Sequence, residues 1–453
     1  MDNNHNVLEG VSSIHFTGIG GIGMSALAEI LERRGYKISG SDINTSPITE
    51  RLESLGVTVE KGNCAEFVDG CDLLVYTAAV KADNPELLAA KQKGVRTVER
   101  AELLGSVQRE FPESVAVAGT HGKTTVTSMI SLILLEAGFD PCVCAGGVIP
   151  ALGSNARASN GDWFVCEACE YVDSFLNLTP KYSVITNVEH DHTDYFPTIE
   201  DVIRSFTSFI SQTTGTVIIN GADANAMKAL QAAGREAVTF GLHEGDYHAE
   251  NITFDAGHPS FDVIERGENI GRVKLSVPGI FNVENALASI ALSRSVGVNM
   301  RSIVSGLYDF TGADRRFHLV GTCNGADVYD DYAHHPHEMS VTLKAAKLFG
   351  KKRVICVFQP HTFSRTEAFK EEMAQALSIA DVVLLAPIYP ARETNTTGIS
   401  SDDVADLIPG AFSSGSFGEI ADYLRSEAGP DDMIIIMGAG DINAVSKMII
   451  NQN

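Results

Sequence analysis

The chain has 453 residues, 44% hydrophobic and 20% charged, which excludes a disordered chain and, at about 150 residues per domain, predicts about three domains. Against 34 Lys and Arg stand 58 Asp and Glu, a formal charge of −24. That balance argues against a nucleic-acid binder, which needs a basic footprint, but leaves room for a local anion pocket.

Short β-branched runs alternate with helical patterns along the chain, the signature of parallel α/β layers. In the first third, strands are expected at 13–17, 37–41, 57–60 and 73–77, with helices at 24–34 and 85–93 between them. The polar stretch 105–114, which contains a proline, reads as a linker. A second series opens with a strand at 115–118 and continues through 163–167, 184–187 and 216–220. After Arg235 come turn-rich alternating strands and a helix around 283–296; the segment 311–317 then breaks the periodicity. Apolar runs at 354–358, 382–386 and 433–437 read as buried strands of a last α/β part. The expected domains are 1–109, 110–315 and 316–453.

The first strand runs into Gly18-Ile19-Gly20-Gly21-Ile22-Gly23 and then a helix, with Asp42 after the next strand. Such glycines let the backbone turn tightly against a diphosphate at a helix amino terminus. Alone, this loop points to NAD or FAD, hence to an oxidoreductase. A second loop, Gly119-Thr120-His121-Gly122-Lys123-Thr124-Thr125, follows a buried strand and opens a long amphipathic stretch. Gly-Lys-Thr in that setting is phosphate-loop chemistry: backbone amides cradle phosphates, Lys123 reaches the terminal ones and Thr124 can ligate Mg²⁺. The usual first glycine is replaced by Val117. Two phosphate loops in separate domains predict ATP at one and a nucleotide-linked substrate at the other; a dehydrogenase needs only the first.

Cys166-Glu167-Ala168-Cys169-Glu170 and the run from Asn187 through Glu189, His190, Asp191 and His192 to Asp194 stand at strand ends, where α/β ligands bind. Their oxygen donors suit Mg²⁺, while His-x-His also permits Zn²⁺. The pairs Cys142/Cys144 and Cys166/Cys169 lie in apolar, strand-like surroundings and read as buried thiols. Near the end, Asp330-Asp331-Tyr332-Ala333-His334-His335-Pro336, Gln359 to Arg365, and Tyr389 to Glu393 form three polar clusters at strand ends, expected to make a binding rim.

Taken in order, Gly18–Ser25, Gly119–Thr125, Asn187–Asp194, Asp330–Pro336 and Gly438–Ile442 resemble the Mur ligases of peptidoglycan synthesis over essentially the whole chain, and are most similar to the alanine-adding branch. The resemblance implies an α/β chain of three domains: an amino-terminal Rossmann-like domain, a central phosphate-loop ATPase-like domain, and a carboxyl-terminal Rossmann-like domain that closes over the site. It implies ligation of L-alanine to the carboxylate of UDP-N-acetylmuramate through an acyl phosphate, with ATP as co-substrate and Mg²⁺ as cofactor. Gly18–Gly23 and Asp42, with His335 and Arg365, would then hold the UDP-sugar. Gly119–Thr125, Asn282, Asn285 and Arg316 would hold ATP; Thr124, Glu167 and His192 the metal; and Lys123, Glu167 and His192 would serve catalysis. A sister ligase that joins a recycled peptide to the same UDP-sugar would share both loops. No apolar run approaches the roughly 20 residues of a membrane helix, and the polar start Met1–Gly10 lacks signal-peptide features. With no compact disulfide framework among eight cysteines, the expected setting is the cytoplasm, without nucleic acid or membrane insertion, as a monomer or homodimer.

Overall fold

The computed structural model describes residues 6–77, 80–193, 195–391 and 393–450. Two compact units emerge, the first built from residues 1–250, 262–272 and 284–310, the second from 251–261, 273–283 and 311–453.

The first unit opens with β1 (Ser13–Thr17), α1 (Ile22–Arg33), β2 (Lys37–Asp42), α2 (Pro47–Ser54), β3 (Thr58–Lys61), β4 (Leu73–Tyr76), α3 (Pro85–Lys93), β5 (Arg96–Glu99) and α4 (Arg100–Arg109). The strands form one parallel sheet in the order β3-β2-β1-β4-β5. This is the nucleotide-binding order, with its crevice where the chain reverses direction beside β1. Local signals set the helix ends: Ser46 and Thr49 form a capping box around Pro47, Asn84 caps α3, and left-handed Gly94 stops it.

A second sheet follows, from β6 (Glu113–Ala118), α5 (Lys123–Glu136), β7 (Cys142–Ile149), β8 (Ser154–Arg157), β9 (Trp163–Glu167), β10 (Tyr182–Ile185), α6 (Ile199–Gln212), β11 (Thr216–Asn220), α7 (Ala224–Ala233) and β12 (Ala237–Phe240). Among these strands, part of a sheet of ten, the order β12-β11-β10-β6-β9-β7-β8 places β6 between β10 and β9. All neighbours are parallel except β7 and β8. The turn-rich region holds β13 (Tyr247–Asp255), β14 (His258–Glu265) and β15 (Glu268–Lys274), followed by α8 (Phe281–Ser295) and α9 (Met300–Asp309). The expected amphipathic stretch at 123–135 is instead buried on every side from Thr124 to Leu134. It lies between the sheet and α9, where a Cβ on Gly306 would come within 2.7 Å of Ile133 Cα.

The expected linker at 105–114 is not one. Residues up to Arg109 complete α4, and β6 begins at Glu113. Polar letters disguised a helix whose Ala101, Leu103, Leu104 and Val107 are buried, and which packs on the 3₁₀ segment Tyr171–Asn177. Gly105 permits that approach, since a Cβ there would sit 2.2 Å from Asn177 O.

The second unit contains β16 (His318–Cys323), β17 (Ala326–Asp331), α10 (Pro336–Lys347), β18 (Arg353–Phe358), α11 (Phe363–Leu377), β19 (Val382–Leu385), α12 (Asp402–Ala405), β20 (Phe412–Ser413), α13 (Phe417–Glu427), β21 (Asp432–Met437) and α14 (Asn443–Ile449). Strand order is β16-β17-β21-β18-β19-β20, parallel except for the β16–β17 edge. Met433, Ile435 and Met437 enter the core on one face, Ile434 and Ile436 the core on the other. Burial on both faces explains the uninterrupted apolar runs of β18 and β21. Among the described residues no helix is long and apolar enough to cross a membrane.

At the end of β17, buried Asp331 accepts Phe317 N–H at 2.7 Å, Ala333 N–H at 2.8 Å and the Thr342 hydroxyl at 3.2 Å. Burial outweighs these donors and pushes its pKa up to about 6.

Two outcomes follow from this packing. Gly105→Ala gains about 0.5–1 kcal/mol of helix preference but forces an overlap of the kind that costs about 1–3 kcal/mol, so urea unfolding should show a net loss of stability. Asp331 keeps its proton up to about pH 6 when folded, whereas an unfolded aspartate loses it near 3.9. Its contribution is therefore complete below about pH 4 and lost as pH rises through about 6. Asp331→Asn should remove that slope, so the urea midpoints of wild type and variant should differ by unequal amounts at pH 4 and pH 6.5; a constant difference would count against the buried proton.

Candidate functional site

The first glycine loop joins β1 to α1, and its shape is set by the end of β2. Gly18 N–H and Ile19 N–H donate to Ser41 O at 2.8 and 2.9 Å, and Gly20 N–H donates to Asp42 Oδ2 at 2.9 Å. A Cβ on Gly20 would lie 2.7 Å from that same oxygen. Asp42 thus braces the loop, and its other oxygen accepts Asn44 N–H. Gly21 starts α1 without a side-chain cap, leaving the helix amino terminus with the free amides that favour an anion. From the neighbouring strand β8, the Asn155 amide donates to Ile22 O.

Arg100, the first residue of α4, places its guanidinium 3.2 Å from where a Cβ on Gly23 would stand. Nothing in its local sequence marks it, because it is distant from the loop along the chain and arrives by the β4–β5 crossover.

The second loop joins β6 to α5. Gly119 has φ +144°, and a Cβ there would fall 1.9 Å from Thr186 Oγ1; Gly122 has φ +84°, and its Cβ would fall 2.6 Å from Asn285 Oδ1. Only glycine fits these two positions. The segment after β10 clamps the loop. Thr120 N–H donates to Asn187 O at 3.1 Å, His121 N–H to Asn187 Oδ1 at 2.8 Å, and the Thr186 hydroxyl to His121 O at 2.6 Å. Glu189 N–H donates to Thr120 Oγ1 at 2.9 Å, while His121 Nε2 stands 3.3 Å from Glu189 Oε2.

Lys123 donates to Thr120 O at 3.1 Å and lies 3.0 Å from Glu170 Oε2. Burial works most strongly against its charge, but Glu170, together with Cys169 and Glu167, outweighs burial and raises its pKa. In the sequence Glu170 is only a member of an acidic run; the fold makes it the partner of the loop lysine. It also brings His192 in, with Nε2 3.7 Å from Glu170 Oε1 and the ring 4.7 Å from that of Tyr171. Val172, Asp173 and His192 all have left-handed backbones, at φ +49°, +57° and +52°. Such strain collects where surrounding structure holds side chains for a task.

Glu167 and Thr124 meet at Gly146 and Gly147 of β7. Gly146 N–H donates to Glu167 Oε1, and a Cβ on Gly147 would lie 3.2 Å from Thr124 Cγ2. Thr124 and Glu167 therefore share one side, while His192 groups with Glu170 and Lys123. Asp194 and Arg392 lie outside the described residues. Cys142, Cys144 and Cys166 are buried and free; burial pushes the first two thiols up to about 11 and about 12.

Asn285 approaches the second loop at Gly122, whereas Asn282 donates to Pro278 O at 2.7 Å within its own turn. In the second unit, the three expected clusters do converge at the ends of β17, β18 and β19. The His334 and His361 rings are 5.8 Å apart, and His361 stacks on Tyr389 at 5.5 Å. Arg316 lies over the Tyr332 ring and 3.8 Å from Glu338; His335 is buried beside Phe369; Arg365 donates to His361 O at 3.3 Å.

Comparison with known proteins agrees with this architecture. The model described as Mur ligase family, catalytic domain, matches residues 13–112; Mur ligase middle domain matches 117–293; and Mur ligase, glutamate ligase domain, matches 315–440. A UDP-N-acetylmuramate–L-alanine ligase of Agathobacter rectalis is 46% identical, covering 97% of this chain and 98% of that protein. The crystal structure of a UDP-N-acetylmuramate–alanine ligase from Thermotoga maritima superposes with a TM-score of 0.84 at 30% identity, over 96% of this chain and 98% of that one. A murein peptide ligase from Psychrobacter arcticus follows at a TM-score of 0.72 and 25% identity, over 97% and 98% of the two chains. With both glycine loops in place and three successive domain models matched along its length, this chain belongs to the Mur ligase family.

Proposed function

We propose that this chain joins L-alanine to the carboxylate of UDP-N-acetylmuramate in peptidoglycan precursor synthesis, cleaving ATP to ADP and phosphate through an acyl phosphate. The observation that carries this reading is the presence of two phosphate loops, at the starts of α1 and α5, on different sheets of one unit. A hydride-transfer enzyme would need only the first. The stronger likeness to an alanine-adding structure than to a peptide-adding one favours the free amino acid as the second substrate.

Residues 1–109 would take the UDP-sugar, 110–315 ATP, and 316–453 the remaining substrate contacts. At the first loop, Gly18–Gly23 would take the diphosphate at the open helix start after Gly21, with Asp42 holding the turn before it in place and Arg100 adding a suitable cation. At the second, Gly119–Thr125 would cradle the ATP phosphates with Asn282, Asn285 and Arg316 as further contacts; His335 and Arg365 would reach the sugar side. A carboxylate is a poor acyl donor, so the terminal phosphoryl group must first be placed on it. Lys123 is held toward the loop by Thr120 O and can stabilise the charge that develops on that group. Glu170 holds the ammonium in register and raises its pKa, so the lysine stays charged. Thr124, Glu167 and His192 would supply the cation's protein ligands, and their oxygen-rich chemistry suits Mg²⁺. When bound, the cation would neutralise phosphate charge. The chain would work in the cytoplasm, where its substrates are made available, as a monomer or homodimer.

Activation by phosphoryl transfer has a traceable consequence. Substrate carrying heavy oxygen in the muramyl carboxylate should pass one label to inorganic phosphate per amide formed, with ADP as the other product. AMP, or unlabelled phosphate at full amide yield, would rule the route out, and a panel of amino acids and tripeptides identifies the attacking amine. Lys123→Ala should leave the fold intact and lower turnover by roughly 10²-fold or more. Near-normal turnover of the purified variant would remove the lysine from the mechanism.

A further inference from the structure

Beneath the first glycine loop lies a buried polar cluster that the mechanism does not use. Glu86, in the first turn of α3, is fully buried. Its Oε2 accepts the Thr17 hydroxyl at 2.6 Å and the Ser41 hydroxyl at 2.9 Å, with His15 Nε2 at 3.4 Å. His15 Nδ1 lies in turn 2.9 Å from Ser39 Oγ.

We infer that Glu86 is a positioning residue for the first loop, fixing the ends of β1 and β2 so that the loop amides are set for a nucleotide diphosphate; this rests on the UDP-sugar reading of that loop.

The connections are short. Thr17 is the last residue of β1 and directly precedes Gly18. The Ser41 carbonyl accepts both Gly18 N–H and Ile19 N–H. One carboxylate oxygen therefore grips the two residues from which the loop hangs. A third element is tied in, because Glu86 belongs to the helix that follows β4 on the other side of β1.

A purely structural explanation accounts poorly for the second oxygen. Among the described residues, Glu86 Oε1 is buried without a hydrogen-bond partner. An unpaired buried oxygen carries a desolvation cost that an apolar side chain of similar volume would avoid. Retaining that cost fits a role in the site better than a role in stability. Burial alone would raise its pKa, but the donors from His15, Thr17 and Ser41 outweigh burial and keep the carboxyl below its ordinary value. It therefore acts purely as an acceptor.

The test compares full-length wild type, Glu86→Ala and Glu86→Gln by calorimetry with UDP-N-acetylmuramate alone, and by steady-state KM for each substrate. Glu86→Ala should weaken UDP-sugar binding about tenfold or more, the effect of losing charge-assisted hydrogen bonds. The KM for ATP and the kcat at saturation should stay near wild type. Glu86→Gln should recover part of the binding, since the amide oxygen can still take both hydroxyls but without the carboxylate's charge. If Glu86→Ala does not fold, Thr17→Val and Ser41→Ala, which each delete one hydroxyl, should still weaken UDP-sugar binding selectively. Unchanged UDP-sugar binding in these variants, or equal losses for both substrates, overturns the positioning role while leaving the loop assignment intact. Wild type that fails to bind UDP-N-acetylmuramate at all overturns the loop assignment and this inference together.

Discussion

The structure depends on one constraint: a helix amino terminus can hold a phosphate only if its free amides are kept from collapsing onto other acceptors. Both glycine loops meet it in the same way, through the end of an adjacent parallel strand. Ser41 and Asp42, at the end of β2, take the amides of Gly18, Ile19 and Gly20. Just beyond β10, Asn187 takes those of Thr120 and His121, and the Thr186 hydroxyl donates to the His121 carbonyl. In each case the bracing bonds use up the first amides of the turn and leave the helix start open.

That shared device explains why the site assembles where it does. Parallel strands deliver all their carboxyl ends to one edge of the sheet. With β6 between β10 and β9, the segment after β10 brings His192 to the second loop and the end of β9 brings Glu167 and Glu170, and His192 reaches Glu170 beside Lys123. The close approaches leave little freedom: Gly119 against Thr186, Gly122 against Asn285, Gly146 against Glu167. Strain at Val172, Asp173 and His192 is the cost of turning the flanking segments inward. Lys123 sits at the centre of this ring, held by a loop carbonyl and by Glu170.

Polar composition misled where a helix buried one face against a partner not visible locally. The stretch 105–114 reads as a linker because it is polar and contains Pro112, yet residues 105–109 close a helix in which even Ser106 and Gln108 are buried and the glycine meets the Asn177 carbonyl. The opposite holds at α5, where an amphipathic stretch is expected but the Ser and Thr residues lie in a fully covered helix. They are buried, and Ser128 and Ser131 return their hydroxyls to carbonyls one turn earlier. A helix covered on both sides needs no polar stripe, and its hydroxyls can be satisfied by its own backbone.

The sequence by itself determined the two loops, the alternation of strand and helix, the buried strands of the last sheet and the acidic and histidine clusters at strand ends. These are local properties: glycine where φ must be positive, a lysine and threonine opening a helix, apolar runs where both faces are covered. Which clusters meet was decided by tertiary structure, because strand order is not written in any one segment. Glu170 became the partner of Lys123, Arg100 came to rest beside Gly23, and Asp42 proved to brace its loop through Gly20. Each of these contacts joins residues far apart in the chain, and only the packing of one strand beside another could bring them together.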